Sequence, residues 1–269
     1  MLYANPVPAE FASGQYYDQI ASEYYLSPAK LESDYSPVRF ERELRIFRKY
    51  CSAGAVLDVG CSSGAFLYQL NCRFPGSYEI LGTDVSGPPL DYAQSQGVPV
   101  ARGSFLEMSF AQGKFDAVTF WAVIEHLVNP AAFMEKTATL LKQGGLCFLL
   151  VPNMKSLAVR LLGSKYRYIY PQHLNYFTAQ TLKKFVERNF SSVEICSTHF
   201  NPFVIWQDLR KGGTEVANPQ RAELLQRTTR YKQNPVLWPI RVLYQMAEKT
   251  LGAARLADNL VAVLRRENE

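Results

Sequence analysis

Glu125 and His126 stand side by side where an apolar run, FDAVTFWAVI, breaks off, and His173 interrupts the aromatic stretch YPQHLNYF. An imidazole with its ordinary pKa of about 6.5 can take a proton from a hydroxyl at working pH, and a neighbouring carboxylate can share that work. Each of these groups also has a plainer reading, because a polar pair after a buried strand often caps the next helix. Glu125 and His126 can supply ligands to a divalent cation. Hard cations prefer several oxygens, however, and only one obvious carboxylate stands there, so no metal is expected. His199, at the end of an outer strand, is expected to be structural.

A second group lies in VLDVGCSSGAFL, where a greasy run meets Asp58 and then Gly60, Cys61, Ser62, Ser63 and Gly64. Small residues let the backbone turn tightly and let a ligand approach the main chain. Asp84 in LGTDVS follows at the spacing of about 20 residues at which an acid accepts hydrogen bonds from ribose hydroxyls. The spacing G-x-x-x-G departs from the G-x-G-x-x-G of dinucleotide sites, and no Lys or Arg cluster stands by to hold a diphosphate. A cofactor with a ribose but no phosphate suits the loop, which puts a nicotinamide dehydrogenase last among the readings.

Such residues need a sheet to position them. Strand-like runs near 55–60, at YEILGTDV, VPVARGSF, 115–124 and LCFLLVP (146–152) alternate with helical patterns near 63–73, over DYAQSQG, and over PAAFMEKTATLLKQ, ending at Gly144 and Gly145. This alternation implies right-handed crossovers and a mainly parallel sheet, with ligands beyond the carboxyl ends of its strands. After Pro152 the chain turns basic and aromatic and is expected to border the site. There Tyr166, Tyr168, Tyr170, Tyr176 and Phe177 are either pocket wall or packing, and Lys165 and Arg167 are available to an anionic acceptor. A helix over TAQTLKKFVERN and a strand over SSVEICSTHF follow, and NLVAVLRRE closes the chain as a strand. The expected organisation is a helical cap over 1–50, with Tyr16 and Tyr17 as its lid; a core over 51–200 and 257–269; and a helical insertion over 201–256, punctuated by Pro219, Pro235 and Pro239.

Four passages together resemble a class I S-adenosylmethionine-dependent methyltransferase, of the type 23 and type 11 branch similar to the ubiquinone-biosynthesis O-methyltransferases. They are VLDVGCSSGAFL, LGTDVS, FDAVTFWAVIEHLVNP and LKQGGLCFLLVPN, and the likeness covers about residues 40 to 200, with NLVAVLRRE completing the sheet. The resemblance implies an α/β fold: a seven-stranded, mostly parallel, Rossmann-like sheet with helices on both faces, an N-terminal helical cap and a helical insertion before the last strand. It implies S-adenosyl-L-methionine as cofactor, with Gly60, Ser62 and Gly64 lining its methionine and ribose portions, Asp58 orienting the loop and amino end, and Asp84 holding the ribose hydroxyls. Cys61, Val85, Ser104, Phe105, Trp121 and Tyr16 complete the cofactor-binding set. Ser62 replaces the usual middle glycine. Ser104 stands where the family often has an acid reading the adenine amino group, so that contact passes to the Ser104 hydroxyl or to the backbone near Phe105.

The implied activity is methyl transfer to a small molecule, by in-line displacement with a histidine base (His126 or His173, with Glu125 alongside), onto an oxygen of a sugar, phenol or lipid-linked intermediate. The alternatives are a methyltransferase acting on RNA or protein, and a nonenzymatic cofactor-binding module of the same fold. IEHL, in place of an (N/D)-PP-(Y/F) motif after the fourth strand, argues against nucleic acid. The 269 residues, 48% of them hydrophobic, suffice for a packed core. The five cysteines lack CxxC spacing, and neither a membrane span nor a secretory signal is read, so a cytoplasmic protein is expected. The net charge of +5 concentrates between Arg210 and Arg255, a basic segment whose WPIRVLYQMAEKTLGAARLA suits an amphipathic helix and peripheral membrane contact.

Overall fold

The run GAVLDV is apolar on both sides of its pleat, and it becomes the centre of the sheet. A computed structural model describes residues 2–4, 15–169, 172–211 and 217–267. Its strands are β1 (Leu2–Tyr3), β2 (Gly54–Val59), β3 (Tyr78–Asp84), β4 (Val100–Arg102), β5 (Phe115–Trp121), β6 (Leu141–Pro152), β7 (Asn175–Tyr176), β8 (Phe190–Thr198) and β9 (Asn259–Arg266). Seven form one sheet in the order β4-β3-β2-β5-β6-β9-β8, while β1 and β7 make a separate antiparallel pair. Strands β2 to β6 run parallel, and β9 lies antiparallel to both β6 and β8. Chain order reverses between β2 and β5, which opens a crevice at the carboxyl ends of β2, β3 and β5.

The helices are α1 (Gln15–Gln19), α2 (Pro28–Asp34) and α3 (Glu41–Tyr50) before β2; α4 (Ala65–Arg73), α5 (Gly87–Ser95), α6 (Pro130–Leu140), α7 (Leu157–Leu162) and α8 (Ala179–Val186) between strands; and α9 (Pro202–Lys211), α10 (Asn218–Gln233) and α11 (Trp238–Ala253) between β8 and β9. A π-helical turn, Ala21–Tyr25, joins α1 to α2. Alternating strand residues face two cores. Leu57, Val118, Phe120, Leu149 and Ala262 pack with Met134 of α6 and Leu182 and Val186 of α8, whereas Val56, Ala117, Phe148 and Val263 pack with Leu44 and Phe47 of α3 and Phe66 and Leu70 of α4. Each such buried side chain contributes about 1.5–3 kcal/mol of transfer free energy, so the crevice rests on a rigid floor. Helix α10 lies against the cap, where Ser33 and Thr229 hydroxyls meet at 2.7 Å and Arg230 pairs with Glu32 at 2.7 Å.

Three boundaries differ from the sequence reading. The helix expected over DYAQSQG starts four residues earlier, at Gly87, because Pro88 and Pro89 occupy its first turn, where a missing N–H costs nothing. Strand β5 stops at Trp121, since Ala122 adopts a left-handed φ of 60° and Ile124–His126 form a 3-10 turn. Helix α6 ends at Leu140, short of the glycines: Leu141 is already buried opposite Phe115, and residues 142–145 form a bulge before Leu146 pairs with Ala117. Residues 5–14 of the expected cap lie outside the described residues.

Candidate active site

The glycine loop leaves β2 at Gly60, whose φ of 73° suits glycine and where a Cβ would stand 2.7 Å from Val123. Gly64 has the same φ, and a Cβ there would meet Ala93 of α5 at 2.8 Å. Ser62 takes φ 50° without a glycine. The loop is held from three sides. Gly60 and Cys61 N–H groups donate to Thr83 O at 2.7 and 3.0 Å, the Tyr35 hydroxyl donates to Ser63 O at 2.6 Å, and the Ser62 N–H donates to Asp84 Oδ2 at 2.8 Å. The Cys61 thiol points down against Gly82, buried, and its pKa is pushed up accordingly.

Asp84 ends β3 with its second oxygen accepting from the Ser86 N–H at 3.0 Å. A carboxylate offers about four lone-pair sites, and with the Val85 N–H also donating to it, one remains for a ribose hydroxyl. Asp58, opposite Thr119 in the β2–β5 ladder, accepts from its hydroxyl at 2.6 Å, and burial raises its pKa to about 7. Above this edge lies α1. Asp18 accepts from the Ser86 hydroxyl (2.8 Å) and the Gly87 N–H (3.0 Å) on the Asp84 side, and the Tyr16 hydroxyl is hydrogen-bonded by Gln172 on the other. Between these latches Tyr17 sits half-buried, 6.4 Å from the His126 ring and close enough to Asp84 and Glu125 to feel both. The helix therefore bridges the crevice.

On the far side the 3-10 turn carries Glu125 and His126, and the segment before β7 brings His173, with ring centroids of the two histidines 4.7 Å apart. His126 Nδ1 lies 2.9 Å from Gln172 O and His173 Nδ1 2.8 Å from Tyr168 O. A carbonyl only accepts, so both Nδ1 atoms carry hydrogen and both Nε2 atoms carry the lone pair. Burial lowers the His126 pKa to about 4 and drives that of His173 well down, while it raises that of Glu125, 1% exposed, to about 8. At neutral pH this trio is uncharged. Among the described residues Glu125 Oε2 has no hydrogen-bond partner.

That burial has a measurable consequence for stability. The folded chain keeps a proton on Glu125 that the unfolded chain releases above about pH 4.3, so the native state loses ground as pH rises from there to about 8. Glu125→Gln removes this dependence. By scanning calorimetry the variant should gain melting temperature relative to the parent at pH 8 and gain little at pH 5; an equal shift at both would show that Glu125 is already ionised.

The sequence family described as a methyltransferase domain matches residues 38–191. The chain belongs to that methyltransferase domain family. Among its relatives are ubiquinone biosynthesis O-methyltransferases of Chelativorans sp. (33% identical over 119 residues; 41% of this chain, 46% of that one) and of Chromobacterium violaceum (32% over 148 residues; 50% of this chain, 62% of that one). The aligned part thus spans about half the length of such relatives. The chain also shares its fold with an S-adenosylmethionine-dependent methyltransferase of Archaeoglobus fulgidus (TM-score 0.57, 20% identity, 93% and 100% of the two chains) and with a Haemonchus contortus phosphoethanolamine N-methyltransferase solved with S-adenosyl-L-methionine (0.58, 15%, 99% and 62%).

The donor set suits that cofactor: a close-approach loop, a carboxylate with a spare lone pair at the ribose position, and no cation on the loop for a pyrophosphate. Residues expected from the sequence fall unevenly around the crevice. Gly60, Ser62, Gly64, Asp84 and the half-exposed Val85 sit at its rim. Phe105 is buried, its ring stacked on Phe133 at 5.3 Å and so withdrawn from any ligand. The Trp121 ring lies between Phe66 (5.0 Å) and Phe148 (6.3 Å), its buried Nε1 without a partner.

Two expectations are corrected. Arg167 forms a bidentate pair with Asp208 (Nε at 3.1 and 3.0 Å), which neutralises it and removes it as a grip for an anionic acceptor. Tyr166 and Phe177 are fully buried packing, whereas Tyr168 stacks on His173 at 6.3 Å and Tyr176 meets it edge-on. Tyr170 lies outside the described residues. His199 pairs with Glu43 at 3.2 Å, far from this chemistry in role. Sequence reasoning missed Asp18, Tyr35 and Gln172, and of these only Tyr35, in a helical aromatic segment, gave any signal.

Proposed function

We propose that the protein transfers the methyl group of S-adenosylmethionine to an oxygen of a small-molecule acceptor, with His126 as the base. The observation carrying this reading is that His126 Nδ1 is tied to Gln172 O at 2.9 Å, which leaves Nε2 as the basic nitrogen, on a ring that meets Tyr17 edge-on at 6.4 Å. Bound S-adenosylmethionine supplies an electrophilic sulfonium methyl. The chain's own part is to hold the ribose on Asp84, orient the acceptor, exclude water with α1 and accept the hydroxyl proton on His126. Positioning of this kind accounts for up to about 7–11 kcal/mol of barrier lowering. Being uncharged at neutral pH, His126 is ready to accept that proton, and His173 fixes its ring from the side. Domain roles follow for the described residues of each part: those of the cap (1–50) close the crevice, those of 51–200 and 257–269 bind the cofactor, and those of 201–256 form an outer wall.

The ubiquinone biosynthesis O-methyltransferases among its relatives support oxygen as the target. Incorporation of tritiated methyl groups into phenols, sugars and lipid-linked acceptors tests the reading; label entering only RNA or protein would replace it, and binding of S-adenosylhomocysteine with no methyl transfer to any acceptor would leave a nonenzymatic cofactor-binding module. A metal is the competing use of the same residues, because Glu125, His126 and His173 offer ligand atoms within 4.8 Å of one another. Two imidazoles and one carboxylate suit a transition metal better than magnesium. With His126 as base, activity should survive chelators; loss restored by an added divalent ion would transfer the trio to metal binding.

Membrane contact is supported by Trp238, Ile240, Leu243 and Met246, all exposed on α11, although no helix among the described residues is long and apolar enough to cross a membrane. Replacing Ile240, Leu243 and Met246 by serine should abolish co-sedimentation with anionic liposomes if that face engages them.

A further inference from the structure

The glycine loop holds a serine in backbone that suits glycine. The Gly64 N–H donates to Cys61 O at 2.9 Å and so closes the turn over residues 61–64, and the second place in that turn belongs to Ser62, at φ 50°. Turns with a positive φ at this place favour glycine, because left-handed backbone crowds a Cβ against the following carbonyl oxygen. A brace from outside the loop offsets that cost.

The brace comes from the cap. Tyr35 directly follows α2, and its hydroxyl donates at 2.6 Å to Ser63 O, on the peptide that joins Ser63 to Gly64. Burial raises the pKa of this hydroxyl, so it remains a donor at every working pH. The Tyr35 ring packs against Tyr68 of α4 at 4.9 Å and Tyr92 of α5 at 5.6 Å, while the Gln69 side chain donates to Tyr35 O at 2.8 Å and to Ser36 O at 3.0 Å. Both helices beside the loop therefore aim the hydroxyl. Within the same turn the Ser62 N–H reaches Asp84 Oδ2 at 2.8 Å, so a turn that relaxes also loses its hold on the ribose carboxylate.

We infer that Tyr35 is a positioning residue for the cofactor: its hydroxyl keeps the 61–64 turn in the conformation that brings Ser62 to Asp84, and thereby offsets the serine in glycine's place. The inference concerns the cofactor side of the crevice and holds whichever acceptor is methylated. A loop that samples other conformations binds with an affinity reduced by the fraction that is competent.

The test is calorimetric titration of S-adenosylhomocysteine into the parent, Tyr35→Phe, Ser62→Gly and the double variant. Tyr35→Phe should bind about three- to tenfold more weakly, the equivalent of one lost hydrogen bond. In the Ser62→Gly background the same substitution should cost less than about twofold, because glycine takes the left-handed turn unaided. Ser33→Ala, which removes the contact of the cap with Thr229 and leaves the loop untouched, should keep the parental affinity and so controls for general loosening of the cap. Unchanged affinity in Tyr35→Phe, an equal loss in both backgrounds, or a comparable loss in Ser33→Ala would each overturn the inference. No binding by the parent would overturn it together with the cofactor's place on the loop, whereas transfer to oxygen is decided separately by the methyl-labelling assay.

Discussion

His126→Gln is expected to lower kcat by about 10²–10⁴, the contribution of a positioned general base, while leaving S-adenosylhomocysteine affinity unchanged. Glutamine retains a donor toward Gln172 O but has no basic lone pair to direct at the acceptor. The pH dependence gives a second readout. Burial brings the His126 pKa to about 4, so the neutral, competent form persists in mild acid, and kcat should hold level from pH 7 down to about pH 5. An imidazole left at 6.5 would retain only about a thirtieth of its neutral form at pH 5. Steady-state rates of the parent and variant across that range decide the matter. A variant with parental kcat would remove imidazole from the proton path, and a fall centred near pH 6.5 would contradict the buried, uncharged setting.

Asp84→Asn should weaken S-adenosylhomocysteine binding by roughly ten- to a hundredfold, measured by calorimetry, which corresponds to about 1.5–3 kcal/mol for hydrogen bonds to a charged group. The substitution is nearly isosteric. The loss has two sources: an amide nitrogen cannot accept from a ribose hydroxyl, and one of the two bonds from the Ser62 and Ser86 N–H groups must be given up. The second source disturbs the glycine loop itself, so Asp84→Glu, with its charge retained but its reach wrong, should also bind poorly. Undiminished affinity in Asp84→Asn would mean that the ribose lies elsewhere.

Much of this site was legible because its scaffold is written in short-range patterns. The apolar run ending at Asp58, Gly60 and Gly64 could only be a buried strand and a tight turn, and Asp84 had to end the neighbouring strand in register with it. Boundaries were less legible where one residue type plays two parts. Pro88 and Pro89, ahead of the helical pattern over DYAQSQG, serve as the start of α5, and Gly144 reads as a helix end but turns a bulge. Least legible were the groups delivered from far along the chain. Asp18 reaches Ser86 and Gly87, Tyr35 reaches Ser63, and Arg221 reaches the cap at Tyr24 through contacts that no periodicity encodes. Trp121 and Phe105 belong to the motifs by position, yet the aromatic cores claim their rings.

The placement of β9 governs the order in which this molecule can be made. Among the described residues strand β8 has no neighbour in the sheet other than β9, and β9 covers the outer edge of β6 from Leu146 to Pro152, so until residues 259–266 leave the ribosome both edges lie bare. During that interval the nascent chain presents Cys147, Leu149 and Val151 on an unpaired margin able to recruit a second nascent copy. Among the described residues, the five helices α7 to α11 must be synthesised while it waits. Slow translation across them would lengthen the exposure, and a chaperone that shields the β6 margin would shorten its cost.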